Sequence, residues 1–231
     1  MPSVGVILTQ HKHPKWMQDR AAKSVEEQTR RPDVIRGTSS GHPDTGFASW
    51  LIAAHECPTD YIAILHDDDW YEPTFIERTL ELMDDETAYV FTEATIHFPD
   101  RTQLNFGFGC VTGAVPSGSI AEMQLGSPII ISPSCALYRR SDLLHNLIPG
   151  GAPGMPRNDK FCGPDLLMSL LPLLDYPKVG FVADPLVNFD GHDQSTTIAN
   201  MKADGGAELS VNYESARKLF AMLSAAKRVM R

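Results

Sequence analysis

Tyr61-Ile62-Ala63-Ile64-Leu65-His66-Asp67-Asp68-Asp69-Trp70-Tyr71-Glu72-Pro73 joins an apolar run to three consecutive carboxylates. The first five residues have the length of a buried strand, and the proline opens a helical pattern beyond the aromatic pair. Adjacent negative charges repel one another, so water or a cation must neutralise them. In an open α/β sheet, ligands bind outside the carboxyl ends of the strands, where this acidic turn falls. Hard oxygen donors there suit Mg²⁺ or Mn²⁺, ions that commonly bridge to substrate phosphates. The competing reading is a solvated turn that caps the next helix, since Asp is a good N-cap.

Upstream, Val4 to Thr9 is a β-rich run ending in Gln10-His11-Lys12-His13. Pro14 then suits the first turn of a helix carrying Met17, Ala21 and Val25 on one face. Asp33 to Arg36 is a short strand candidate. The turn-rich loop Gly37 to Asp44 leads to a second helix with Phe47, Leu51 and Ala54. Beyond the acidic stretch comes a helix presenting Ile76, Leu80 and Met83. This alternation predicts a mainly parallel sheet with right-handed crossovers. No GxGxxG follows the first strand and no GxxxxGK[ST] occurs, which argues against dinucleotide-binding and P-loop chemistry.

Further along, Tyr89 to Phe98 reads as a strand and Gln103 to Ser119 as a hairpin or flap. Pro128 to Tyr138 reads as a strand interrupted by Pro133. Pro149 to Gly163 is the best candidate for a mobile loop near a site. Asp165 opens an apolar helix over Leu166 to Leu174, Val179 to Ala183 is a last core strand, and Asp184 to Thr197 is polar. The tail from about Glu208 is amphipathic through Leu209, Tyr213, Ala216, Phe220 and Leu223. It reads as a packed helix with a basic outer face, the alternatives being a homodimer contact or an anionic surface.

The chain has 231 residues, 42% of them hydrophobic and 21% charged, as expected of an ordinary soluble protein. Its net charge of −9 disfavours nucleic acid, apart from basic residues near Arg139-Arg140 and in the tail. No run has the length of a membrane span, and Val4 to Leu8 reads as a strand rather than a secretory signal. Cys57, Cys110, Cys135 and Cys162 are widely spaced, which predicts reduced thiols in a cytoplasmic protein.

Taken in order, these features resemble the GT-A glycosyltransferases of inverting family 2. Ser24-Val25-Glu26-Glu27-Gln28-Thr29 is similar to the family's Ser-Val-x-x-Gln-Thr, and Leu65 to Pro73 to its Leu-Asp-x-Asp-Asp stretch before proline. Ala136 to Leu143 looks like the small-residue strand that runs into Arg-Arg. Gly163-Pro164-Asp165-Leu166-Leu167 sits where the family carries Glu-Asp, and Asn188 to Ser195 is similar to its closing Tyr-Arg-x-His-x-x-Ser. The likeness covers residues 3–198.

The resemblance implies a Rossmann-like α/β fold with a central, mostly parallel sheet flanked by helices. It implies a single catalytic domain over 1–231, with a nucleotide-sugar half (1–98), an acceptor half (99–198) and a helical tail (199–231). The implied activity is metal-dependent, inverting transfer of a sugar from a nucleotide-diphosphate-sugar to a hydroxyl acceptor. Asp67, Asp69 and His192 would hold Mn²⁺ or Mg²⁺, the imidazole pointing to Mn²⁺. Thr9, Gln10, His11, Thr38, His66, Asp67 and Asp68 would line the nucleotide-sugar. Asp165 would be the general base. Trp70, Tyr71 and Phe161 are candidates for stacking on sugars, and the loops at Phe106 to Ser119 and Pro149 to Gly163 for covering the acceptor.

This chain departs from the family pattern at His66, at Gly37-Thr38-Ser39-Ser40, at Gln10 or His11, and at Pro164. UDP is the family's commonest carrier, with GDP and dTDP left open. The acceptor stays open between a glycan, a small molecule, a protein and a hydroxymethylated DNA base. The rival readings are a catalytically silent nucleotide-sugar-binding module and a nucleotidyltransferase.

Overall fold

The computed structural model describes residues 1–10, 13–38, 46–107, 111–126, 131–147, 163–192, 195, 205 and 207–229. Strand and helix alternate through β1 (Val4–Leu8), α1 (Lys15–Glu26), β2 (Val34–Gly37), α2 (Gly46–His55) and β3 (Tyr61–Leu65), as the hydrophobic spacing predicts. β4 (Trp70–Tyr71), α3 (Phe75–Leu80) and β5 (Thr87–His97) follow. Then come β6 (Thr102–Leu104), β7 (Gly113–Pro116), α4 (Ser117–Gly126), β8 (Ala136–Arg139), α5 (Arg140–Asn146) and α6 (Pro164–Leu170). β9 (Lys178–Asp190) and α7 (Ala207–Val229) complete the described elements.

The sheet runs β2-β1-β3-β8-β5-β9-β4, with β6 added to β5 and β7 to β9. Its longest ladders, β1–β3 and β5–β9, are parallel, and β8 enters antiparallel between β3 and β5. The result is an α/β fold with a central, mostly parallel sheet and flanking helices. In β3, Ile62, Ala63, Ile64 and Leu65 are all fully buried. That explains the unbroken apolar run, because a strand covered on both faces has no polar alternation. Met17, Ala21 and Val25 bury the inner face of α1.

The motif Ser24-Gln28-Thr29 grips the segment after the acidic turn. Ser24 Oγ accepts from Tyr71 N, and Gln28 donates to the Glu72 carbonyl while accepting from Ile76 N. Thr29 N donates to the Pro73 carbonyl and its hydroxyl to Glu77. A buried amide with partners on both its oxygen and its nitrogen fixes α1 against α3 more firmly than apolar packing alone, because losing either bond would strand a buried group.

Elsewhere the structure corrects the pattern. Of the expected strand over Pro128 to Tyr138, the described residues 131–138 are strand only from Ala136, because Pro133 opens a 3-10 turn over Pro133–Cys135. Gln103 to Ser119 is not one hairpin. Its two strands add to different partners, and Ser117 already begins α4. The helix after Asp165 tightens to 3-10 over Leu171–Leu174, where Pro172 has no N–H to give. β9 runs on to Asp190, past the expected strand end at Ala183 and into the polar segment, because β5 and β4 supply its backbone partners. In α7, Ala216 and Phe220 are buried as expected, whereas Leu223 is exposed and Asn212 is buried instead. Most of the expected mobile loop, 149–162, lies outside the described residues. No helix among the described residues is long and apolar enough to cross a membrane.

Gly5 of β1 lies tightly against the connection between α2 and β3. A Cβ there would lie 2.1 Å from Cys57 Sγ and 2.9 Å from Thr59 Oγ1. Gly5→Ala is therefore expected to destabilise the chain by about 1–3 kcal/mol through overpacking. Urea denaturation of the single variant and of Gly5→Ala/Cys57→Ala checks this, the second change restoring part of the loss.

Candidate active site

β3 ends at Leu65, and Thr9 N donates to the Leu65 carbonyl, so β1 holds the last rung of the ladder. From there the acidic turn is pinned at each step. His66 N donates to Ser134 Oγ (3.3 Å), Asp67 N to Thr9 Oγ1 (3.2 Å) and Asp69 N to the His66 carbonyl (3.1 Å). Arg20 on α1 donates to the Asp68 carbonyl (2.6 Å) and to Asp190 Oδ2 (2.8 Å), with its guanidinium 3.7 Å from the Trp70 ring centroid. A cation held over an aromatic face and two acceptors is a fixed charge beside the turn.

Each carboxylate meets a different partner. Asp67, buried, has its Oδ1 at 3.0 Å from His13 Nδ1. Asp68, half-buried, faces His192 Nε2 at 3.1 Å and His13 Nε2 at 3.7 Å. Asp69, buried, accepts from the Ser134 hydroxyl (3.1 Å) and lies 3.5 Å from His66 Nδ1. Burial, and then the charge of Asp68, push the Asp69 carboxyl up to about 6. Burial would raise Asp68 as well, but the surrounding His66, His13 and His192 hold it below its ordinary value. Burial opposes the charge on His66, yet Asp69, with Asp68 and Asp67, raises its pKa.

The structure thus brings Asp67, Asp68, Asp69, His66 and His192 together. Among the described residues, two sets of donors can hold a cation, His13–Asp68–His192 and His66–Asp68–Asp69, each with its ligand atoms within 4.8 Å of one another. Imidazole nitrogens and carboxylate oxygens without thiolate suit a divalent ion of the Mg²⁺ to Zn²⁺ range, so the residues present fit one. Asp67, paired with His13, belongs to neither set.

Thr9 and Thr38 are buried and used by the backbone, since Thr38 Oγ1 accepts from Gln10 N at 2.9 Å. Gln10 is exposed, and its side chain lies over Gly37, where a Cβ would come within 2.9 Å of Nε2. His11 lies outside the described residues. Asp165 Oδ1 accepts from Gly163 N (2.7 Å) and Leu166 N (2.9 Å), and Oδ2 from the Tyr213 hydroxyl of α7 (3.1 Å). Burial raises its pKa against the pull of these bonds.

Two of the candidate sugar-stacking aromatics have other work. Tyr71 is buried and stacks on Phe75 at 3.9 Å, and Trp70 is wedged between Arg20 and His97. Phe161 lies outside the described residues. Sequence reasoning missed His13, Ser134 and Arg20. His13 was findable, because it closes the polar run at the carboxyl end of β1. Ser134 was hidden by the proline that breaks its strand pattern, and Arg20 by its place on an otherwise solvated helix face.

The sequence profile of "Glycosyl transferase family 2" matches residues 18–146, more than half of the chain. The chain belongs to glycosyl transferase family 2. The match runs from within α1 through the acidic turn and β8, and stops before Asp165 and His192. Solved structures carry the same fold at low identity. S. aureus TarS 1–349 in complex with UDP superposes with a TM-score of 0.61 at 10% identity, covering 91% of this chain and 68% of that one. The complex of the same fragment with UDP-GlcNAc gives 0.62 at 12%, covering 84% and 60%. A further S. aureus TarS structure gives 0.60 at 12%, covering 91% of this chain and 41% of its own. This glycosyltransferase therefore has the GT-A fold, and it spans less than two thirds of the second and third of these chains. No curated protein sequence matches it.

In this family 2 glycosyltransferase Ser134 serves both the His66 amide and the Asp69 carboxylate. Ser134→Ala removes a partner from the half-buried His66 amide and from the buried Asp69 carboxylate and is expected to cost about 1–3 kcal/mol. A carboxyl raised in the fold favours folding fully below its unfolded value, 3.8, and loses that advantage as pH rises through about 6. Without the hydroxyl Asp69 rises further, so the deficit should be larger at pH 7.5 than at pH 4. Denaturant titration of parent and variant at both pH values measures it.

Proposed function

We propose that the chain transfers a sugar, with inversion, from a nucleotide-diphosphate-sugar to a hydroxyl acceptor, using a divalent cation at the acidic turn. The observation that carries this reading is the turn itself. Asp67, Asp68 and Asp69 close a buried strand of a family 2 fold with His13, His66 and His192 around them. UDP-sugar is the donor favoured, since the TarS complexes that share the fold hold UDP and UDP-GlcNAc.

In this reading the chain is one catalytic unit, with the nucleotide over 1–98 and the acceptor over 99–198. Gln10 and Thr38 border the nucleoside at the ends of β1 and β2. Thr9 orients Asp67 through its amide. The cation, held by residues of the turn with His192, offsets charge on the leaving diphosphate when bound. Asp165 takes the proton of the acceptor hydroxyl as that oxygen attacks the anomeric carbon. Its burial favours this role, because a raised carboxyl pKa makes a stronger base at neutral pH. The Tyr213 hydroxyl and the two amides hold the carboxylate in one orientation. Reduced, buried Cys57 and Cys135 support a cytoplasmic setting.

The three hydrogen bonds that Asp165 accepts support a second reading, a silent nucleotide-sugar-binding module. Asp165→Asn separates the two. Transfer or donor hydrolysis should fall by about 10²–10⁴-fold with donor affinity nearly unchanged. Activity equal to the parent removes Asp165 as base, and a parent without turnover favours the silent module. For the donor, thermal unfolding with UDP, GDP and dTDP should give the largest rise with UDP and Mn²⁺, and little rise in EDTA. A midpoint that no nucleoside diphosphate moves would contradict the reading.

A further inference from the structure

We propose that Arg20 is a positioning residue of the donor site: its guanidinium straps the main chain of the acidic turn to the end of β9. It thereby fixes how the residues after that strand close on the turn. The role rests on the donor-site reading above and adds to it the device that sets the site's geometry.

Arg20 lies on α1, 48 residues before Asp68 and 170 before Asp190. A single nitrogen, Nη2, donates to both, to the Asp68 carbonyl at 2.6 Å and to Asp190 Oδ2 at 2.8 Å. The buried Nε has no partner among the described residues. An ion pair built for strength sets two parallel N–H bonds on one carboxylate. Here one nitrogen bridges two segments of chain, which is the geometry of a strap.

Aromatic rings hold the guanidinium where it is. It lies 3.7 Å from the Trp70 ring centroid and 5.2 Å from that of Trp16. Trp70 also packs on His97, with centroids 4.9 Å apart. His97 is tied to Asn188 at 2.7 Å, and its carbonyl accepts from Gly191 N at 2.8 Å. The chain at the end of β9 is thus gripped twice in succession, at Asp190 by Arg20 and at Gly191 by His97. Gly191 passes close to its neighbours, since a Cβ there would lie 2.8 Å from Phe98 and 3.0 Å from the His97 carbonyl. His192 comes next, with Nε2 3.1 Å from Asp68 Oδ2.

The competing reading is an ordinary surface ion pair. The Arg20 and Asp190 side chains are 28% and 19% exposed, and pairs that meet water contribute little to stability. Displacing either partner, by contrast, moves the groups around Asp68. Loss of a residue that only orients others at a site costs about tenfold or more in binding.

The test compares the full chain with Arg20→Ala, Arg20→Lys and Asp190→Ala. Amide hydrogen exchange followed by NMR without ligand reads the position, and calorimetry with UDP and Mn²⁺ reads the site. Arg20→Ala should speed exchange at the hydrogen-bonded amides of Asp69 and Gly191 by about tenfold or more, with Ile62 to Ile64 within about threefold. It should weaken UDP by about tenfold or more, while the melting midpoint falls by no more than about 4 °C. Arg20→Lys keeps a nitrogen but not the planar stack, so it should recover part of each loss. Adding Asp190→Ala to Arg20→Ala should cost little more, since both cut the same strap. Arg78→Ala is the control. It removes a 3.1 Å contact to Asp184, six residues before Asp190 on β9, and should leave both amides and UDP binding as in the parent.

Unchanged exchange at Asp69 and Gly191 in Arg20→Ala, or UDP weakened equally by Arg78→Ala, overturns the proposal. The two readings fail separately. A parent that binds no UDP, while Arg20→Ala still frees both amides, overturns the donor reading and leaves the strap standing. UDP affinity equal in parent and Arg20→Ala removes the positioning role and leaves the donor reading intact.

Discussion

Like charges set side by side at the end of a buried strand are the constraint this molecule is built around. Asp67, Asp68 and Asp69 follow four fully buried residues of β3, so they cannot all turn to bulk water. Each is answered by its own counter-group: His13 for Asp67, His192 and His13 for Asp68, His66 and Ser134 for Asp69. Arg20 adds a fixed positive charge against the Asp68 carbonyl and Asp190. A single turn therefore draws on α1, on the segments after β1 and β9, and on the residues before β8.

That convergence explains several features with no chemistry of their own. Gln28 and Ser24 hold the chain on the far side of the turn through Glu72, Ile76 and Tyr71. Asn188 links His97 to Glu72 and so keeps β4 on β9 beside the aromatic stack. These amides and the hydroxyl each both donate and accept, and such networks fix geometry more than they add stability. For the proposed donor site, that rigidity is what preorganised electrostatics requires.

The C-terminal helix takes part in the same economy of placement. Tyr213 reaches Asp165, Arg217 donates to the Gln124 carbonyl, and Ala216 and Phe220 fill the core beneath. A tail that looks like an amphipathic addition thus orients a carboxylate at the start of α6. Its inner face includes buried Asn212, a polar residue that simple amphipathic spacing leaves out.

Much was legible in the chain itself. The apolar run into three Asp residues, the four-residue spacing of Met17, Ala21 and Val25, and the alternation of elements each report a local physical demand. Burial on both faces of a strand, one apolar stripe on a helix and short crossovers leave marks in consecutive residues. Charge density in one turn does too. What the sequence could not determine was which partner each carboxylate would take. Those partners lie 54 residues away for His13 and Asp67, 65 for Ser134 and Asp69, and 124 for His192 and Asp68. Pairing across such distances is set by strand order, by β8 entering between β3 and β5, and by β9 running on to Asp190. Only the closed sheet brings those ends together, and so only the tertiary structure decides how the negative charge is shared out.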